Sequence, residues 1–140
     1  MSAVRHVLIS SSPLSVDRVL AAVANDRVGG IGLFIGTVRN VDEDRPVITL
    51  DYTAHPTAES TLREVAEQTT AGRSVITAAV EHRIGALAIG ELAVVVAVGA
   101  EHRAEALEVC RDLIDRIKAE VPIWKEQEFA DGDTAWVGLR

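Results

Sequence analysis

The chain has 140 residues, of which 48% are apolar and 25% charged, and a net charge of −7. That is the size and balance of one globular domain with a real core. It excludes a disordered chain and broad, non-specific nucleic-acid binding, which depends on Lys and Arg neutralising phosphates.

The single cysteine, Cys110, rules out an intrachain disulfide and a complete cysteine-built zinc site. No basic stretch followed by an apolar run and a cleavage site opens the sequence. The longest apolar run, Leu92–Val98, is far too short to span a bilayer. A cytoplasmic protein is the expectation. Aromatic residues are only 4%, so the core must be built from Val, Ile, Leu and Ala.

In chain order, Val4–Ile9 reads as a strand. Ser15 is a suitable N-cap for a helix over Val16–Ala24, whose Val16, Val19, Leu20 and Val23 recur at helical spacing. Ile31–Val38 reads as a buried strand, and its Gly32 and Gly36 point to close approach of a backbone or a ligand. Arg39–Pro46 is a charged loop and Val47–Ala54 another strand. Pro56 can open a helix that runs to about Ala71. Val75–Arg83 and Glu91–Val98 are two long strands joined through Ile84–Gly90. Leu92–Val98 is apolar on both faces, which places it centrally in a sheet or at a subunit interface.

A third helix spans Glu101–Glu120, with Ala106, Leu107, Cys110, Leu113, Ile114, Ile117 and Val121 as its apolar stripe. Pro122 stops it. Ile123–Phe129 is a strand, Asp131-Gly132 a hairpin turn, and Thr134–Val137 the return strand. Helices and strands do not alternate one for one. The expected class is therefore α+β, a single domain over residues 1–140 with a mixed or antiparallel sheet packed by three helices.

Candidate chemistry lies in five basic residues. His102 and Arg103 begin the third helix, where cations oppose the helix dipole. Either they build an anion site with the free backbone N–H groups, or they point into solvent with Glu101 offsetting them. Arg39 closes a buried strand where a loop begins, a common position for binding residues and equally one for a solvated arginine. Lys118 sits in the last turn of its helix, where a cation is favourable for structural reasons alone.

Lys125 has no such reason. It follows Pro122-Ile-Trp and precedes an acidic run, Glu126–Glu128. A lysine held against apolar walls or beside other cations has a lowered pKa and can act as base or nucleophile. The alternative is a surface salt bridge worth about 0–1 kcal/mol. No histidine pair shows metal-ligand spacing, and no P-loop, dinucleotide fingerprint or Gly-x-Ser-x-Gly is present. Cys110 falls in the helix stripe and reads as core.

Gly36-Thr-Val-Arg39, Leu50-Asp-Tyr52, His82-Arg-Ile-Gly85, Gly90-Glu91, His102-Arg103, and Ile117-Lys118 through Pro122-Ile-Trp-Lys125 stand in one order. Together they resemble the MoaE family, the large, catalytic subunit of molybdopterin synthase, over about Gly30–Val137. The resemblance implies an α/β-hammerhead-type fold and a homodimer within a heterotetramer. The partner it implies is a small ubiquitin-like sulfur carrier ending in a Gly-Gly thiocarboxylate. The implied reaction transfers sulfur from that carrier to cyclic pyranopterin monophosphate, forming the dithiolene of molybdopterin, with no cofactor or metal required.

By the same resemblance Lys118 and Lys125 take the catalytic positions, and Arg39, His102 and Arg103 the substrate-binding ones. All five are expected to line one cleft, with the option that one member comes from the second copy. Glu126 stands where many relatives carry a basic residue, and Asp51 where Glu is usual. The competing readings are a non-catalytic dimeric module that grips a ubiquitin-like tail or an anionic metabolite, and a purely structural dimer with its basic residues scattered.

Overall fold

A computed structural model describes residues 2–42, 45–130, 132 and 134–138. The elements are β1 (Val4–Ser10), α1 (Val16–Val23), β2 (Gly30–Thr37), β3 (Val41–Asp42), β4 (Arg45–Ala54), α2 (Ala58–Thr70), β5 (Thr77–Arg83), β6 (Gly85–Leu87), β7 (Leu92–Ala100), α3 (Arg103–Glu120), β8 (Ile123–Phe129) and β9 (Thr134–Gly138). The class is α+β with three helices, as expected, but the strands divide into two sheets. The first has the order β1-β5-β7-β2 and is mixed, since β1 runs parallel to β5 while the other pairs are antiparallel. The second has the order β3-β4-β8-β9, with β6 also on β4, and is antiparallel throughout.

The core follows from β7. It is apolar on both faces and lies between β5 and β2, so each face receives a helical layer. Val94, Val96 and Val98 pack with Leu62 and Val65 of α2 and Val109, Leu113 and Ile117 of α3. Val95 and Ala97 face the other way, onto Val19 and Val23 of α1. Each fully buried Val or Leu side chain contributes roughly 1.5–3 kcal/mol.

Ser15 caps α1 as expected, its Oγ accepting from the Arg18 N–H at 3.0 Å. The helix is then tied to the sheet through Glu81, which is fully buried on β5. That carboxylate accepts from the Ser15 N–H at 3.1 Å, Arg18 Nη2 at 2.7 Å and His6 Nε2 at 2.7 Å. Burial opposes its charge, but these hydrogen bonds hold it below the usual carboxylate range.

Gly32 lets β2 lie directly against α3. A Cβ there would collide with the backbone oxygen of Ala106 and come within 3.0 Å of Cys110 Cβ. The close approach read from the glycines is thus, at Gly32, an approach to helix backbone. Among the described residues no helix is long and apolar enough to cross a membrane.

Several local expectations need correcting. The joint between the two long strands contains β6, which leaves the first sheet and pairs Gly85–Leu87 with Leu50–Tyr52 of the second. The charged loop after Arg39 contains the two-residue β3. The helices α2 and α3 each start about two residues late, at Ala58 and Arg103. Leu107 is 58% exposed, and Val109 takes its place in the buried stripe. Asp131 of the expected hairpin turn lies outside the described residues. The antiparallel pairing of β8 with β9 is nevertheless present.

Candidate active site

The site is built by the chain reversal after α3. The Val121 N–H closes the helix on the Ile117 carbonyl at 3.1 Å. Pro122 has no N–H to continue it, and its own carbonyl accepts from the His55 N–H at 3.0 Å, which pins the turn to the end of β4. Strand β8 leaves immediately. Side chains alternate along a strand, so Ile123, Lys125, Gln127 and Phe129 share its inner face, while Trp124 stays 43% exposed on the other. In the β4–β8 register Tyr52 stands opposite Lys125 and Leu50 opposite Gln127.

The second sheet thereby forms one wall of a cavity of about 280 Å³. The opposite wall comes from α3, β5 and β7, with Lys118, Ile117, His82 and Val94. Polar groups are graded by depth. The Arg39 side chain is 76% exposed and its Nη2 meets Asp42 Oδ1 at 3.3 Å. Lys118 and Lys125 are half-buried. His82 and Gln127 are only 2% and 3% exposed.

Burial lowers the pKa of Lys118, and the charge of Lys125 lowers it further. Two lysines are thus close enough to repel each other across one cavity. The His82 imidazole is driven down to about 4, chiefly by burial, with the Lys118 charge adding to it. It is neutral near pH 7. Burial raises the pKa of the Tyr52 phenol, whose ring meets His82 edge-on with centroids 5.2 Å apart. The arrangement can bind an anion between cations and supply a lysine that surrenders its proton more readily than usual.

A family profile for MoaE protein matches residues 9–120. Molybdopterin synthase catalytic subunit 1 of Mycobacterium tuberculosis is 42% identical over 133 residues, covering 94% of this chain and 90% of the relative. The chain belongs to the MoaE family.

Its fold is similar to that of molybdopterin synthase from Staphylococcus aureus, with a TM-score of 0.86 and 30% identity over 94% of this chain and 96% of the other. A chain from the protein–protein complex of subunits 1 and 2 of molybdopterin-converting factor from Helicobacter pylori shares the fold, with a TM-score of 0.71 and 18% identity over 97% of this chain and 90% of that one.

Of the five basic residues singled out from the sequence, this MoaE chain brings three together. Lys118, Lys125 and Arg39 line the same cavity. His102 and Arg103 do not join them. His102 stands at the N-cap position at the opposite end of α3, without a side-chain capping bond, and lies in a separate shallow hollow with Arg27, Glu101 and Glu105. An 18-residue helix is about 27 Å long, so one chain cannot place both of its ends in one cleft. Both residues are exposed.

Sequence reasoning missed Asp42, Tyr52, His82 and Gln127 as cavity residues. The signal for Gln127 was present, since it lies two residues beyond Lys125 on the same strand face. Tyr52 and His82 stood in the motifs that carry the family resemblance, but that they face one cavity depends on which strands meet. Among the described residues, no group of three or more His, Cys, Asp or Glu is placed to hold a metal. Cys110 is buried and its thiol pushed up to about 11, mainly by burial, which fits its place in the core.

Proposed function

We propose that this chain is a molybdopterin synthase catalytic subunit, a cytoplasmic sulfurtransferase. In this reading it takes sulfur from the C-terminal thiocarboxylate of a small ubiquitin-like carrier and delivers it to cyclic pyranopterin monophosphate, forming the dithiolene. The whole chain serves as one such domain. The observation that carries the proposal is the pair of lysines facing each other from α3 and β8 across one cavity, with Arg39 at its mouth. Both reactants are anionic, and a local cluster of cations in a chain of net charge −7 attracts and orients them. Lys118 contacts the carrier's terminal carboxyl group and stabilises charge developing during transfer. Lys125 assists proton transfer or holds the pterin substrate.

His102 and Arg103 serve the site of a second copy in a homodimer, two carriers completing the heterotetramer. Four features support this. Strand β2 is an edge strand that exposes Ile31, Leu33, Phe34 and Ile35 in a row, an uncovered apolar edge of the kind that pairs with another chain. Its Gly30 end abuts Arg103, where an added Cβ would lie 3.2 Å from the Arg103 Cα. Its Gly36–Thr37 end lines the cavity. Eight strand residues span about 27 Å, which matches the length of α3. A two-fold antiparallel pairing of β2 with its copy would therefore carry each His102-Arg103 pair to the partner's cavity mouth.

The deciding experiment mixes the purified protein with thiocarboxylated carrier and cyclic pyranopterin monophosphate and measures dithiolene. Product is expected with wild type and not with Lys118→Ala or Lys125→Ala. No product from wild type, or undiminished product from both variants, overturns the assignment.

A further inference from the structure

The cations account for the mouth and middle of the cavity but not for its bottom. There the polar groups are neutral. His82 is 2% exposed, and its Nδ1 lies 2.7 Å from the Arg83 carbonyl oxygen. A carbonyl can only accept, so Nδ1 carries the proton and donates. This fixes the tautomer and leaves Nε2 as an acceptor lone pair, for which no hydrogen bond is seen among the described residues. On the facing wall Gln127 is 3% exposed, and its Oε1 is buried without any partner. Gln127 lines the cavity, and rotation about its broad terminal torsion can present that oxygen to it.

A buried acceptor left unsatisfied costs about 1–3 kcal/mol. Gln127 Oε1 is such an acceptor, and with the His82 Nε2 lone pair on the opposite wall of the same cavity it calls for hydrogen-bond donors. Neither welcomes an anion, because a lone pair repels negative charge.

We propose that His82 and Gln127 form a donor-reading subsite at the bottom of the cavity, which takes the N–H edge of a heterocyclic substrate and so forces its anionic group outward to the cations. Resting on the sulfurtransferase reading, this orients the pterin ring inward and its phosphate toward the mouth. His82 and Gln127 are then specificity-determining residues. Tyr52 holds the His82 ring by its edge-on contact.

The test separates ring from anion. Steady-state dithiolene formation is measured in the complex with thiocarboxylated carrier, for wild type, Gln127→Met, His82→Phe and His82→Gln, with inorganic phosphate as a competing anion. Gln127→Met and His82→Phe are each expected to raise KM for cyclic pyranopterin monophosphate by about 10-fold or more. The inhibition constant of phosphate should move less than about 2-fold, because phosphate never reaches the bottom. His82→Gln, which restores an acceptor, should recover most of the loss.

An unchanged KM overturns the proposal, and so does a KM that rises in step with the phosphate constant. If His82→Phe does not fold, Gln127→Met decides alone. If wild type forms no dithiolene, the sulfurtransferase reading fails separately. Calorimetric binding of the pterin and of phosphate to wild type and Gln127→Met then decides the subsite by the same contrast.

Discussion

The two ends of α3 carry basic residues in opposite circumstances. At the C-terminal end Lys118 complements the helix dipole, is half-buried and shares a cavity with Lys125. At the N-terminal end His102 and Arg103 oppose the dipole, are exposed, and make no side-chain cap. By local helix physics the first arrangement needs no function and the second invites one. Tertiary structure reverses the order within a single chain. The unremarkable lysine lines the cavity, and the unfavourable pair stands 15 and 16 residues back along the helix, roughly 22–24 Å away. Helix electrostatics reports only what a residue costs its own helix. Which cavity the side chain meets depends on what packs beyond the helix end.

The comparison breaks first at the buried end. Lys118→Ala should lower kcat for dithiolene formation by about 10²–10⁴-fold, while far-ultraviolet circular dichroism stays unchanged. A loss under 10-fold would remove Lys118 from the chemistry.

A second test concerns the group below it. His82 is pushed down to about 4 when folded, against about 6.5 when unfolded. The unfolded chain therefore binds more protons across that window, and stability must fall as pH drops from about 6.5 toward 4. The loss is at most about 3 kcal/mol. Urea midpoints measured across this range should decline for wild type and decline less for His82→Phe. Equal slopes would contradict a buried, neutral His82.

The exposed end is sharpened by complementation. Arg103→Ala and Lys118→Ala chains are each expected to be poorly active, but co-refolded they form mixed dimers in which one of two sites is intact. Activity should recover to about a quarter of wild type if Arg103 acts on its partner's site. No recovery would return Arg103 to its own chain or to solvent. The smallest effect belongs to Leu107 on the outer face of the same helix. It is 58% exposed, and if its surface stays in water in the dimer, Leu107→Ser should shift the thermal midpoint by the equivalent of about 0.5 kcal/mol or less. A larger loss would show that the dimer covers it.

Much of this molecule was legible in its sequence because the signals were local. Ser15 capped its helix, Pro122 ended another, and the two-faced apolar run around Val95 lay at the centre of a sheet, since capping, ring closure and burial act on neighbouring residues. The motif order around Lys118 and Lys125 marked the family.

What tertiary structure alone decided was adjacency. The second sheet could not be read, because Gly85–Leu87 carries no mark saying that it pairs with Leu50–Tyr52 and not with its own neighbours. His82 and Gln127 reached one cavity from strands 45 residues apart only through the packing of two sheets. The separation of Arg103 from Lys118 followed from a helix too rigid to bend its ends together. Sequence determines which residues are basic and which segments are helix or strand, because those depend on side-chain chemistry and short-range geometry. Which of them face one another depends on long-range packing, and that became visible only in the folded chain.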